Sequence, residues 1–75
     1  MGEFKTKYHL SVEWKNRWYY IGTYKTHRRA VQAFLDICKD EENANKLSGK
    51  SISFAKSLWK VADTTGETSF FRYNQ

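Results

Sequence analysis

From Tyr8 to Trp14 the side chains alternate, with Tyr8, Leu10, Val12 and Trp14 on one side and His9, Ser11 and Glu13 on the other. A period of two predicts a half-buried β-strand. Lys15, Asn16 and Arg17 interrupt the alternation. A short polar break containing an asparagine, which tolerates positive φ, predicts a hairpin turn. Trp18 to Tyr24 (W-Y-Y-I-G-T-Y) is dense in β-forming residues and predicts the returning strand, with Gly22 marking a bulge or a close backbone approach. Thr26 then offers a hydroxyl N-cap, and a helix is expected from about His27, with Ala30, Val31, Phe34, Leu35 and Cys38 as its apolar stripe.

The tract Asp40–Gly49 is polar and predicts a short second helical turn, capped by Asp40, with Ala44 and Leu47 touching the core and Ser48-Gly49 as the stop. A helical turn near Ser53–Lys56 is expected next. Two strands, Leu58–Asp63 and Thr68–Tyr73, then form a hairpin across Thr64–Glu67. The expected architecture is a single small α+β domain, ββαββ, in which an N-terminal hairpin, an amphipathic helix and a C-terminal hairpin pack as one helix on an antiparallel sheet.

At 75 residues the chain buries only about 60% of the surface its unfolded form exposes, which excludes a multidomain enzyme or a doubly wound cofactor fold. Three Trp, five Tyr and five Phe, with no proline, supply the large buried areas that so short a chain needs to fold. No apolar run approaches the roughly 18 residues that span a bilayer, and no apolar signal-type segment follows Met1, so a cytoplasmic protein with no membrane partner is expected. Cys38 stands alone, which predicts a small buried hydrophobe rather than a disulfide or metal ligand.

The formal net charge is +5, and its placement is informative. Lys5, Lys7, Lys15, Arg17, Lys25, Arg28 and Arg29 face only Glu3 and Glu13 in residues 1–30, whereas residues 31–75 hold six cations and six anions. A one-sided basic surface is the footprint of a polyanion binder.

From Ile21 to Phe34 the chain reads I-G-T-Y-K-T-H-R-R-A-V-Q-A-F, preceded by Arg17-Trp18-Tyr19-Tyr20. This resembles the passage from last strand to helix in the plant ethylene-response-factor (Apetala-type) DNA-binding domain, at Ile21, Gly22, Thr23, Tyr24, Thr26, Ala30, Val31, Ala33 and Phe34. Most of these are packing positions, and the likeness covers roughly residues 8–40. It implies that the sheet, rather than the helix, meets nucleic acid, DNA ahead of RNA, with Tyr19 and Ile21 toward the helix and Trp18 and Tyr20 on the open face. The resulting binding candidates are Lys5, Lys7, His9, Ser11, Lys15, Asn16, Arg17, Trp18, Tyr20, Lys25, Arg28 and Arg29. The chain departs from the family in carrying Arg17 as the hairpin's only arginine, in lacking a counterpart of the family's first strand in Met1–Lys7, and in its last 35 residues.

Two alternatives stay open on the residues alone. The C-terminal hairpin could roof Trp18 and Tyr20, leaving no free face. An exposed aromatic surface could also dock on a protein, such as a host factor if the chain is encoded by a phage or mobile element. Catalysis is not expected. His9 and His27 lack metal-pair spacing, Asp40-Glu41-Glu42 reads as a solvated helix end, and the four scattered glycines form no phosphate loop. No cofactor or metal is expected.

Overall fold

A computed structural model describes residues 6–49 and 54–73. Lys5, among the binding candidates, and Ser53, at the start of the expected helical turn, lie outside them. The elements are β1 (Tyr8–Trp14), β2 (Arg17–Tyr24), α1 (His27–Ser48), a 3-10 turn at Phe54–Lys56, β3 (Trp59–Asp63) and β4 (Thr68–Phe71). The four strands form one antiparallel sheet in the order β2-β1-β3-β4, with α1 across one face. This is the expected ββαββ, α+β arrangement. The neighbour of β1 on its second side comes from the C-terminal half of the chain, as β3.

The first hairpin closes tightly. Trp14 pairs with Arg17, so the turn is Lys15-Asn16 alone, and Arg17 opens β2 instead of sitting in the turn. Both turn residues have left-handed backbones, φ 52° and 64°. That is the geometry of a type I′ turn, whose twist matches the flanking strands. Lysine pays a steric penalty there of about 1 kcal/mol, which Asn-Gly avoids. Lys15→Asn combined with Asn16→Gly is therefore expected to raise the melting temperature by roughly 4–8 °C, read by thermal denaturation. A lower melting temperature would contradict the turn assignment.

Further along, Leu10 pairs with Gly22 but Ser11 pairs with Tyr20, which leaves Ile21 as the extra residue of a β-bulge. Parity shifts by one, so Gly22 and Tyr24 share the helix-side face with Leu10 and Tyr8 while Ile21 is exposed, contrary to its expected packing under the helix. The close approach at Gly22 is made by Tyr24: a Cβ there would stand 3.0 Å from the Tyr24 hydroxyl oxygen.

Helix α1 starts where Thr26 Oγ1 accepts the Arg29 N–H at 3.0 Å and ends at Gly49, φ 74°, whose N–H reaches Asn45 O. Ala30, Phe34 and Cys38 are buried, with Val31, Ala33 and Ile37 packed alongside. Leu35 is exposed, a departure from the expected stripe. It lies about 100° round the helix from Phe34, whereas Ile37 lies about 60° away on the other side.

No second helical turn begins at Asp40, because α1 continues through it. The residues beyond it are not a solvated end either. Glu41 Oε1 accepts the Phe54 N–H at 2.7 Å, and Glu42 Oε1 accepts the Tyr73 hydroxyl at 3.3 Å. Ala44 is exposed and Leu47 is 94% exposed, so neither joins the core. A 22-residue helix runs about 33 Å, far longer than five-residue β3 at about 17 Å, so its last turns outrun the sheet.

The core joins Leu10 and Val12 of β1, Trp59 and Val61 of β3, and Ala30, Phe34 and Cys38 of α1. Trp59 is wholly buried, its indole N–H donating to Phe54 O at 2.9 Å. The Phe34 ring centroid lies 5.2 Å from that of Trp59 and 5.9 Å from that of Phe71. Burial, with a lesser push from Glu41, raises the Cys38 thiol to about 11, so it stays protonated at neutral pH.

Asp63 organises the second hairpin. Its Oδ1 accepts from the Thr65 hydroxyl, the Thr65 N–H and the Glu67 N–H. These bonds, the Thr65 hydroxyl's foremost, hold the carboxyl below its ordinary value of 3.8. A depressed folded-state value means that the carboxylate stabilises the fold fully above the unfolded-state value, and that this contribution is lost as pH falls through the folded one. Asp63→Asn is expected to melt earlier than the native chain at pH 7, with the gap closing towards about pH 2. Melting curves at the two pH values check this, and a gap independent of pH would contradict it.

Candidate nucleic-acid interface

Strand pairing sorts the sheet residues by face, because directly paired residues project to the same side. Opposite the helix stand Trp18, Tyr20 and Thr23 of β2, His9, Ser11 and Glu13 of β1, Lys60 and Ala62 of β3, and Thr68 and Phe70 of β4. The C-terminal hairpin extends the sheet sideways beyond β1 and does not roof this face. Trp18 is 39% exposed, Phe70 57% and Tyr20 64%.

Two small clusters order the face. Trp18 leans across the sheet until its ring centroid is 6.4 Å from that of Phe70, on the far edge strand. Between them the Lys60 ammonium sits 4.3 Å from the indole centroid, a cation–π contact. In the second cluster Tyr20 Oη and Thr23 Oγ1 are hydrogen-bonded at 2.6 Å, and Thr23 Oγ1 also meets His9 Nδ1 at 2.8 Å. The His9 and Tyr20 rings lie 6.4 Å apart. Glu13, paired with Trp18, is the face's one carboxylate among the described residues.

The structure brings together His9, Ser11, Trp18 and Tyr20 of the residues singled out from sequence, and distributes the others. Lys15 and Asn16 form the turn, with the Lys15 ammonium 4.4 Å from the Trp14 ring centroid. Arg17 follows on β2 with the helix-side parity of Trp14. Lys7 and Lys25 flank the opposite end of the hairpin, about 20 Å away along β1. There they line a groove of about 510 Å³ with Thr6, Tyr8, Thr23 and Tyr24. Arg28 and Arg29 belong to the first turn of α1, in the other layer. His27 packs its ring near Tyr8 and Phe71. Lys7 and Lys25 therefore stand at one end of the hairpin, while at the other the Lys15 ammonium is drawn to the helix-side Trp14 ring.

Lys60, Phe70 and Thr23 were not among the sequence candidates. A signal for the first existed: Trp59-Lys60-Val61-Ala62 alternates, which puts Lys60 opposite the buried Trp59 and Val61. What the pattern lacks is the strand order that carries Lys60 to Trp18.

No family model matches the chain, and no curated protein or solved structure matches it. Among the described residues no group of three or more His, Cys, Asp or Glu could hold a metal ion. No helix among them is long and apolar enough to cross a membrane.

Proposed function

We propose that this protein is a small non-enzymatic nucleic-acid-binding domain whose open sheet face is the contact surface. The observation that carries the reading is the open face itself, uncovered among the described residues, with three partly exposed rings, Lys60 against Trp18, and Lys7 and Lys25 at one end of the hairpin. Aromatic rings interleaved with cations hold nucleic acid by stacking and by neutralising phosphates. The net charge of +5 favours a polyanion over an acidic surface's partners. The likeness of residues 8–40 to the Apetala-type domain supports the same use of the sheet. A buried unpaired cysteine suits a reducing compartment such as the cytoplasm.

One observation favours a second reading. Trp18 and Phe70 make a continuous apolar patch, and such patches anchor protein partners as well. A salt titration separates the two. Nucleic-acid affinity should fall linearly on a log–log plot against salt, and Lys60→Gln should reduce the slope by about 0.7–0.9, one phosphate's worth. Failure to bind any DNA or RNA at about 50 mM salt, where phosphate contacts are strong, would refute the proposal and leave protein docking in its place.

A further inference from the structure

Building on the nucleic-acid reading, we infer that the open face takes an unpaired strand rather than a duplex, with bases stacked on Trp18, Tyr20 and Phe70. A duplex presents base edges in its grooves, and side chains that read edges are hydrogen-bonding forks: Arg, Lys, Asn and Gln. The strand positions of the open face hold no Arg, Asn or Gln, and Lys60 is their single cation. A duplex would thus meet three rings with nothing to stack on, while a surface made for its two phosphate rails would need rows of cations. An unpaired strand offers base faces, and every base has one.

The rings are also prepared for stacking. Tyr20 has its hydroxyl tied to Thr23, which spends its polar end and fixes the ring, so less side-chain freedom is lost when a base arrives. The Lys60 ammonium lies over the Trp18 indole, which stays 39% exposed, and provides a cation for the adjoining phosphate. The charge is complementary in the same sense. Lys7 and Lys25, beside the Tyr8–Tyr24 pair at the open end of the hairpin, stand where a strand crossing the rings would leave. Ser11, between Tyr20 and Lys60 in the sheet, gives a hydroxyl that any base or sugar can use, with no fixed donor–acceptor pattern. The binding expected is tolerant of sequence.

Fluorescence anisotropy of the full chain with labelled oligothymidylate and oligouridylate of about 15 nucleotides, and with a blunt duplex of equal length, tests this at about 50 mM salt. The expected result is single-strand binding at least about tenfold tighter than duplex binding, weakened about tenfold by Trp18→Ala. Phe70→Ala, at a more exposed ring on an edge strand, gives the same readout if Trp18→Ala does not fold. A preference for uridylate or for thymidylate supports the inference equally and identifies the strand as RNA or DNA. Duplex binding as tight as single-strand binding, or an unchanged affinity in both ring variants, overturns the unpaired-strand inference and leaves nucleic-acid binding intact. No binding to any of the three probes overturns both.

Discussion

Trp59→Ala is expected to remove a large share of the protein's stability. The residue is wholly buried and sits where all parts of the core converge: Phe34 from the helix, Phe54 from the 3-10 turn, and β1 through its pairing with Val12. Removing a buried tryptophan ring costs about 3–5 kcal/mol, because the lining relaxes only partly into the space. A domain of this size holds roughly 4–11 kcal/mol in total. The loss is therefore a large share of the stability and can equal all of it. Trp59→Phe is expected to be much milder, about 1–2 kcal/mol, since a ring remains. Phe54 O, which loses the indole N–H, still accepts the Ser57 N–H at 3.1 Å. Leu47→Ala, at a side chain in full solvent, should change stability by no more than about 0.5 kcal/mol. Denaturant titrations of the three variants check the ranking. A Trp59→Ala protein melting within a few degrees of the native chain would show that the core is not built around this ring.

The second large effect is on binding. Trp18→Ala with Tyr20→Ala removes two rings from the face opposite the core, each worth about 1–3 kcal/mol as a base-stacking platform. Nucleic-acid affinity should drop about 30-fold or more. Stability should change little, because neither ring belongs to the buried cluster. Arg28→Gln with Arg29→Gln gives the contrasting result. These cations are in the first turn of the helix, behind the sheet, and their loss should weaken binding less than about threefold, through long-range attraction alone. Equilibrium binding at fixed salt, with circular dichroism as a folding control, measures both. The reverse ranking would move the contact surface to the helix layer.

Local patterns made most of the architecture legible. The alternation from Tyr8 to Trp14, the β-rich W-Y-Y-I-G-T-Y, the Thr26 cap and the Gly49 stop each report a backbone requirement that neighbouring residues satisfy. Departures occur where distant residues decide. Glu41 and Glu42 read as a break in the helix, yet they face a backbone N–H and a tyrosine hydroxyl contributed by later parts of the chain. Ile21 reads as inward until the bulge opposite Leu10 and Ser11 shifts the parity. Leu47 reads as core because residue type does not reveal that the sheet stops short of the helix end.

The candidate surface followed the same division. The outward parity of His9 and Ser11 was readable from the alternation of the first strand, and that of Trp18 and Tyr20 from the resemblance to the Apetala-type domain. Whether their face was covered was not, since a C-terminal hairpin of unchanged sequence could lie over the sheet or beside it. Pairing of β3 with β1 puts it beside, and in doing so adds Lys60 and Phe70 to the surface. The dispersal of Arg28 and Arg29 has a similar origin: a cluster close in sequence to the hairpin enters the other layer as soon as the helix begins.

The central claim, that the open sheet face carries the binding, is tested most directly by the three indole N–H resonances of Trp14, Trp18 and Trp59 during a titration with single-stranded oligonucleotide. The Trp18 resonance should shift progressively and saturate with the ligand, while that of Trp59, sealed in the core against Phe54 O, should stay in place. A Trp18 resonance that does not move while amides of Arg28, Arg29 and Gln32 do would contradict the account.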